Sequence, residues 1–146
     1  MRCAFVLGLA ATVFLSPAVS AQSRSPVGPD THWILSAVGD VIMNRRLEQF
    51  DHPGDPAFHD MANIIRGTDA AFMNLEQSVF RLSEFNGWPA AENGGNYEVG
   101  SPETLKDLAS MGFNLFNRAN NHTTDYGVEG MQLTNRLLDE WGLVHS

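Results

Sequence analysis

Apolar positions along the chain form short runs that alternate with helical stripes. Trp33-Ile34-Leu35-Ser36-Ala37-Val38, closed by Gly39, reads as a buried strand. Asp55 and Pro56 supply a cap and a first helical residue. Phe58, Met61, Ile64 and Ile65 then share one face of a helix that Gly67 stops. Ala70-Ala71-Phe72-Met73 is a second short strand. From about Gln77 to Gly100 no periodicity is visible, and Gly87, Pro89, Gly94 and Gly95 predict a long excursion. Ser101-Pro102 repeats the cap-plus-proline signal, Leu105, Leu108 and Met111 follow on one side, and Gly112 closes that helix. Phe113 to Asn117 is a third strand. A last helix from about Val128 to Trp141 carries Met131, Leu138 and Trp141 and ends at Gly142, before a fourth strand beginning at Leu143-Val144-His145. Strands alternating with helices predict an α/β fold with right-handed crossovers and a mainly parallel sheet.

The first residues break this pattern. Arg2 gives a positive start, Ala4 to Leu15 an apolar core, and Ser16 to Ala21 a small-residue cleavage region. Residues 1–21 are therefore expected to be a signal peptide, 22–32 a polar, proline-containing lead-in, and 33–146 the domain, exported to the periplasm or cell surface. Cys3, the only cysteine, falls within the signal. The mature chain then has neither a disulfide nor a thiolate ligand, and any metal must be held by oxygen and nitrogen. No later stretch is apolar enough to span a bilayer. The net charge of −8 is spread without a basic stripe, which argues against nucleic acid as a partner. It reads most simply as a contribution to solubility. Nothing in the sequence sets the oligomeric state.

In a parallel sheet the ligand site lies beyond the carboxyl ends of the strands. Three predicted strand ends each deliver polar residues there: Gly39-Asp40, Asn74-Leu75-Glu76, and Asn120-Asn121-His122 with Asp125 three positions on. Each also has a plainer reading. Asp40 suits a turn cap, Glu76 a solvated surface, Asn120-Asn121 a turn, and His122 with Asp125 the start of a helix. Together, two carboxylates, carboxamides and an imidazole suit a divalent cation such as Mn²⁺, Zn²⁺, Mg²⁺ or Fe²⁺, or a pair acting on a phosphate. On one helical turn Asp125 would face His122 and fix its tautomer, as a general acid requires. His32, His52, His59 and His145 read as solvated or capping. Met43, Met61, Met73, Met111 and Met131 read as core filler. Trp88, in the long excursion, is a candidate contact surface.

The series Gly39-Asp40-Val41-Ile42-Met43, Asp69 through Asn74-Leu75-Glu76, Gly112-Phe113-Asn114 and Ala119-Asn120-Asn121-His122-Thr123-Thr124-Asp125-Tyr126-Gly127, with Gly130, Thr134 and Leu138, resembles the poly-γ-glutamate capsule biosynthesis (CapA-type) family. That family is related to calcineurin-like metallophosphoesterases. The resemblance implies the N-terminal part of a metallophosphoesterase-like α/β/β/α sandwich. It implies metal-ligand roles for Asp40, Glu76 and Asn121, and an active-site role for His122. It further implies an anionic envelope polymer or a phosphoester as substrate, and metal-dependent hydrolysis or polymer assembly as function. Where phosphoesterases place a metal-binding histidine two residues after the first aspartate, this sequence has Ile42. The later histidine and Gly-His-x-His segment of these families do not occur before Ser146. The expectation is thus an incomplete domain with an unpaired strand edge, poorly stable and inactive as a phosphoesterase by itself. A non-catalytic polymer-binding or assembly factor, or an inactive gene fragment, is the alternative.

Overall fold

The structure is a computed structural model that describes residues 32–50, 56–90 and 97–146. The signal-peptide region with Cys3, all of the lead-in but His32, and His52, Asp55, Gly94 and Gly95 lie outside the described residues.

Four strands, β1 (Leu35–Val41), β2 (Ala70–Leu75), β5 (Leu115–Asn117) and β6 (Val144–His145), form one sheet in the order β1-β2-β5-β6, every pair parallel. The helices are α1 (Pro56–Arg66), α2 (Pro102–Ser110) and α3 (Gly127–Glu140). Strand–helix alternation around a parallel sheet makes this an α/β fold consistent with a metallophosphoesterase-like domain. Ala71, Met73 and Leu75 alternate along β2 and so share a face. They join Ala62 and Ile65 of α1, Leu105 and Leu108 of α2, Phe116 of β5 and Leu138 of α3 in one buried cluster. Phe72 and Asn74, on the other face of β2, are only partly buried.

Four expectations need correcting. β1 is not a buried strand: it lies at the edge of the sheet, with Leu35 and Val38 exposed. Gly39 does not end β1, which continues through Asp40 to Val41. Two residues of β1, Val38 and Gly39, stand opposite Met73 alone, because the register runs Ala37↔Phe72 and then Asp40↔Asn74. This is a β-bulge, and a one-residue insertion reverses which face the following side chains take. On α1 the core side is Phe58, Ala62 and Ile65, whereas Met61 and Ile64 are exposed. The apolar stripe is wider than the surface this sheet covers. The excursion after Gln77 is not devoid of regular structure. It carries β3 (Ser78–Val79) and β4 (Val99–Gly100), paired in parallel as a second small sheet. Gln77, Ser78, Val79 and Phe80 are all buried there, and the Thr134 hydroxyl of α3 accepts from Val79 N at 2.9 Å.

Two contacts tie the periphery to this core. Asp107 of α2 is buried and accepts from Arg46 Nε and Nη2, both at 2.8 Å, and from Leu47 N at 2.7 Å. The Arg46 guanidinium, followed by the Leu47 amide, holds the Asp107 carboxyl below its usual range despite the burial. A carboxyl depressed by folding contributes stability above its unfolded pKa of about 4 and loses it as pH falls through the folded value. Asp107→Asn is therefore expected to melt below the wild type at pH 6, with the gap closing as pH drops from about 4 toward 2. Thermal melts across that range check it.

The second contact is at Gly112, which has φ +107°. A Cβ added there would lie 3.1 Å from the backbone Cα of Arg66. Arg66 in turn donates from Nε and Nη2 to Ser110 O at 2.9 and 2.7 Å, joining the ends of α1 and α2. Gly112→Ala combines backbone strain with a close approach, and is expected to destabilise the chain by about 1–3 kcal/mol in denaturant unfolding.

Candidate active site

The bulge in β1 and the parallel register put three polar residues side by side, since Asp40 pairs with Asn74 and Asn74 with Asn117. Their side chains form a continuous chain of hydrogen bonds. Asn117 Nδ2 donates to Asn74 Oδ1 at 2.7 Å, and Asn74 Nδ2 donates to Asp40 Oδ1 at 2.7 Å. Asn74 is thus fixed in one amide orientation and directs a donor at the carboxylate. Asn120, from the turn after β5, donates from Nδ2 to Asn74 Oδ1 and to Leu75 O, both at 3.0 Å. Its own Oδ1 accepts from His122 N at 3.1 Å.

Glu76 follows β2 directly, its amide donating to Val41 O at 3.1 Å. Its carboxyl lies against that of Asp40. The Asn74 amide, and then this contact with Glu76, keep Asp40 below the usual carboxylate range. Burial, followed by the contact with Asp40, pushes Glu76 upward, and His122 influences both groups. Two carboxyls in contact require a shared proton or a cation between them. The third predicted strand end joins the same place. His122 Nδ1 lies 2.8 Å from Asp125 Oδ2, and Asp125 is completely buried. Glu98 N donates to the same carboxylate oxygen at 2.8 Å, so the long excursion helps hold the pair. The pair sits in the turn ahead of α3, not within a helix. Asp125 N bonds back to His122 O at 3.3 Å, which supplies the single turn that brings them together.

The structure sets the Asp40 carboxyl against Glu76 and His122 beside Asp125, with Asn120 joining the two through Asn74. Asn121 is exposed on the turn beside them, and the carboxamides that reach the strand ends are those of Asn74, Asn117 and Asn120. Ile42 is exposed just past Asp40. The Asp40 and Glu76 carboxylates, completed by water, are the oxygen donors here suited to a hard divalent cation, since the Asn74, Asn117 and Asn120 oxygens are already engaged. Among the described residues no group of three or more His, Cys, Asp or Glu gathers as a preformed cage.

Sequence reasoning missed Arg118. It is buried, and its Nη1 donates to Leu75 O at 3.1 Å and to Gln77 O. Burial pulls its pKa down to about 10, so it stays charged at neutral pH. A buried strand-end arginine carries no periodic or motif signal. The in-register asparagines could have been found by aligning the predicted strands at their carboxyl ends.

A parallel α/β sheet whose carboxyl edge gathers two carboxylates, a ladder of carboxamides and an Asp-oriented histidine has its polar residues where open α/β sheets place their ligand sites. Residues 34–146 match the model of the bacterial capsule synthesis protein family PGA_cap, and the chain belongs to that family. It is similar to the protein y4sH of Sinorhizobium fredii, 49% identical over 112 residues that cover 77% of this chain and 24% of that one. It is 28% identical over 144 residues to the capsule biosynthesis protein CapA of Bacillus anthracis, covering 94% of this chain and 34% of the relative. To the PGA biosynthesis protein CapA of Bacillus subtilis it is 33% identical over 105 residues, covering 69% and 27%. The chain thus spans about a quarter to a third of the length of the curated relatives it matches. Among the described residues no helix is long and apolar enough to cross a membrane.

Proposed function

We propose that the chain carries the metal-binding edge of an exported, divalent-metal-dependent hydrolase of the phosphoesterase type, acting on an anionic envelope polymer or a phosphoester. The observation that carries this reading is the contact between the Asp40 and Glu76 carboxyls beside the His122–Asp125 pair, all at the carboxyl edge of one parallel sheet. The names of the two Bacillus relatives, capsule and PGA biosynthesis proteins, make an anionic capsule polymer the substrate class to try first. Export rests on the charge and apolar pattern of residues 1–21.

Asp40 and Glu76 would hold the ion, with Asn121 offering a carboxamide from the adjoining turn. A bound divalent ion would supply Lewis acidity toward a phosphoryl or carbonyl oxygen. The protein's own part is clearer. Asp125 occupies Nδ1 of His122, which leaves Nε2 as the nitrogen that can hold a proton for a leaving group. Asn74, locked between Asp40 and Asn117, keeps the Asp40 carboxylate from rotating.

The test is titration of the chain with Mn²⁺ by calorimetry, and assay of a generic phosphodiester, with and without EDTA, on a form extended to the length of the curated relatives. Near-stoichiometric binding by the chain, with EDTA-sensitive turnover by the extended form, is the expected result. Saturation with Mn²⁺ at only millimolar concentrations would sink the metal reading. A second reading, a non-catalytic polymer-binding or assembly factor, is favoured by exposed Ile42 standing where a ligand would be wanted. It predicts tight binding of Mn²⁺ or polymer with no turnover at all.

A further inference from the structure

Glu76 lies one residue past the last β1–β2 register pair, Val41↔Leu75. Its amide still bonds to Val41 O at 3.1 Å, but the carbonyls flanking it are held from elsewhere. The carbonyls on either side of Glu76, those of Leu75 and Gln77, both accept from the same nitrogen, Nη1 of Arg118. Leu75 O also takes the Asn120 amide at 3.0 Å. Arg118 opens the segment that runs through Asn120 to His122, so one guanidinium links the end of β2 to the turn bearing the histidine.

The energetics of Arg118 are unusual for a residue serving stability alone. It is 2% exposed, and its Nε and Nη2 are buried with no acceptor among the described residues. Among those residues no carboxylate forms an ion pair with it, and its environment acts on it through burial. Burying a cation without a counter-charge is unfavourable, and an apolar side chain of similar length at such a place is often neutral or stabilising. A charged donor kept there at that disadvantage is best accounted for by what it holds.

We infer that Arg118 is a positioning residue for Glu76, gripping the peptide groups on both sides of it so that its carboxyl stays against Asp40. The inference rests on the proposed metal role of Glu76. It assigns Arg118 no contact with substrate or metal.

Wild type, Arg118→Met and Arg118→Lys are titrated with Mn²⁺ alone by calorimetry, with thermal melts and amide hydrogen exchange on the same samples. Arg118→Met is expected to bind Mn²⁺ about tenfold or more weakly, the size of effect typical of groups that orient a ligand. It should melt within a few degrees of wild type, because it sheds a buried charge along with two hydrogen bonds. Exchange at the amides of Glu76 and Gln77 should accelerate while the β2 amides stay protected. Arg118→Lys, which retains a donor for one carbonyl, should recover part of the affinity. A merely structural role would lower the melting temperature and leave the affinity of the folded fraction unchanged, which overturns the inference. If Arg118→Met does not fold, Arg118→Lys decides alone: affinity equal to wild type overturns the inference, and an intermediate loss supports it. Failure of the wild type to bind Mn²⁺ is a separate result, which overturns the metal reading and this inference with it.

Discussion

Asp125→Ala is expected to lower stability by about 3 kcal/mol, a fall of roughly 10 °C in melting temperature for a domain of this size. The reason is the double use of one buried oxygen. Asp125 Oδ2 accepts from Glu98 N and faces His122 Nδ1, each at 2.8 Å, in a residue with no solvent exposure. Truncation leaves the Glu98 N–H without that acceptor and removes the imidazole's bond at Nδ1. Asp125→Asn keeps an oxygen in the same place, so its loss should be about half as large. The ranking Ala below Asn below wild type, measured by thermal melts, is the check. Equal melting of the alanine variant and wild type would show that the carboxylate organises nothing. The alanine variant should also lose the bond that fixes the His122 tautomer, visible in the imidazole ¹⁵N shifts.

The second large effect concerns the bulge in β1. Asp40 meets Asn74 only because Val38 and Gly39 together oppose a single residue of β2. Deleting Gly39 should give a plain ladder in which Asp40 still stands opposite Asn74 and on its face, so the polar row survives. Mn²⁺ affinity should therefore stay near wild type in the deletion variant and fall by about 100-fold or more in Asp40→Asn, because there a ligand itself is lost. Gly39→Ala is the control. A Cβ at this position would meet nothing within 4 Å, so this variant should bind as wild type does. If the folded deletion variant loses Mn²⁺ as Asp40→Asn does, the register pair Asp40↔Asn74 is not what aims Asp40.

Much of this architecture is visible in the sequence where one physical signal dominates. Proline at the first helical position marks the starts of α1 and α2, and glycines at positive φ, Gly112 and Gly142, mark stops. Sheet geometry alone then selects Asp40, Glu76 and His122, since polar residues cluster where strands end. What periodicity does not carry is register. No pattern in Ala37-Val38-Gly39-Asp40 announces an extra residue, because a bulge is defined by the partner strand. Met61 and Ile64 were assigned to the core by spacing, but spacing gives the width of an apolar stripe and not the area available to cover it. The strands β3 and β4 are two residues each, too short to show alternation. Arg118 was invisible for a related reason. A lone arginine after a strand reads as surface, and only the carbonyls of Leu75 and Gln77, far off in sequence, reveal otherwise.

The all-parallel order β1-β2-β5-β6 has a kinetic consequence. Leu35 must find Ala70, Phe72 must find Leu115, and Leu115 must find Val144, so no two neighbouring strands of this sheet can zip from a tight hairpin. Each pairing has to close a loop containing a whole helix before it gains any ladder bond. Chains dominated by such distant pairings fold slowly and pass longer through states with unpaired strands. During synthesis β1 and β2 can pair while α2 is still emerging, but Phe116 and the Asn117 end of the carboxamide ladder cannot be in place until later. The polar row at the sheet edge is therefore among the last features to assemble, and a stalled or nicked chain would hold Asp40 and Asn74 without their third partner.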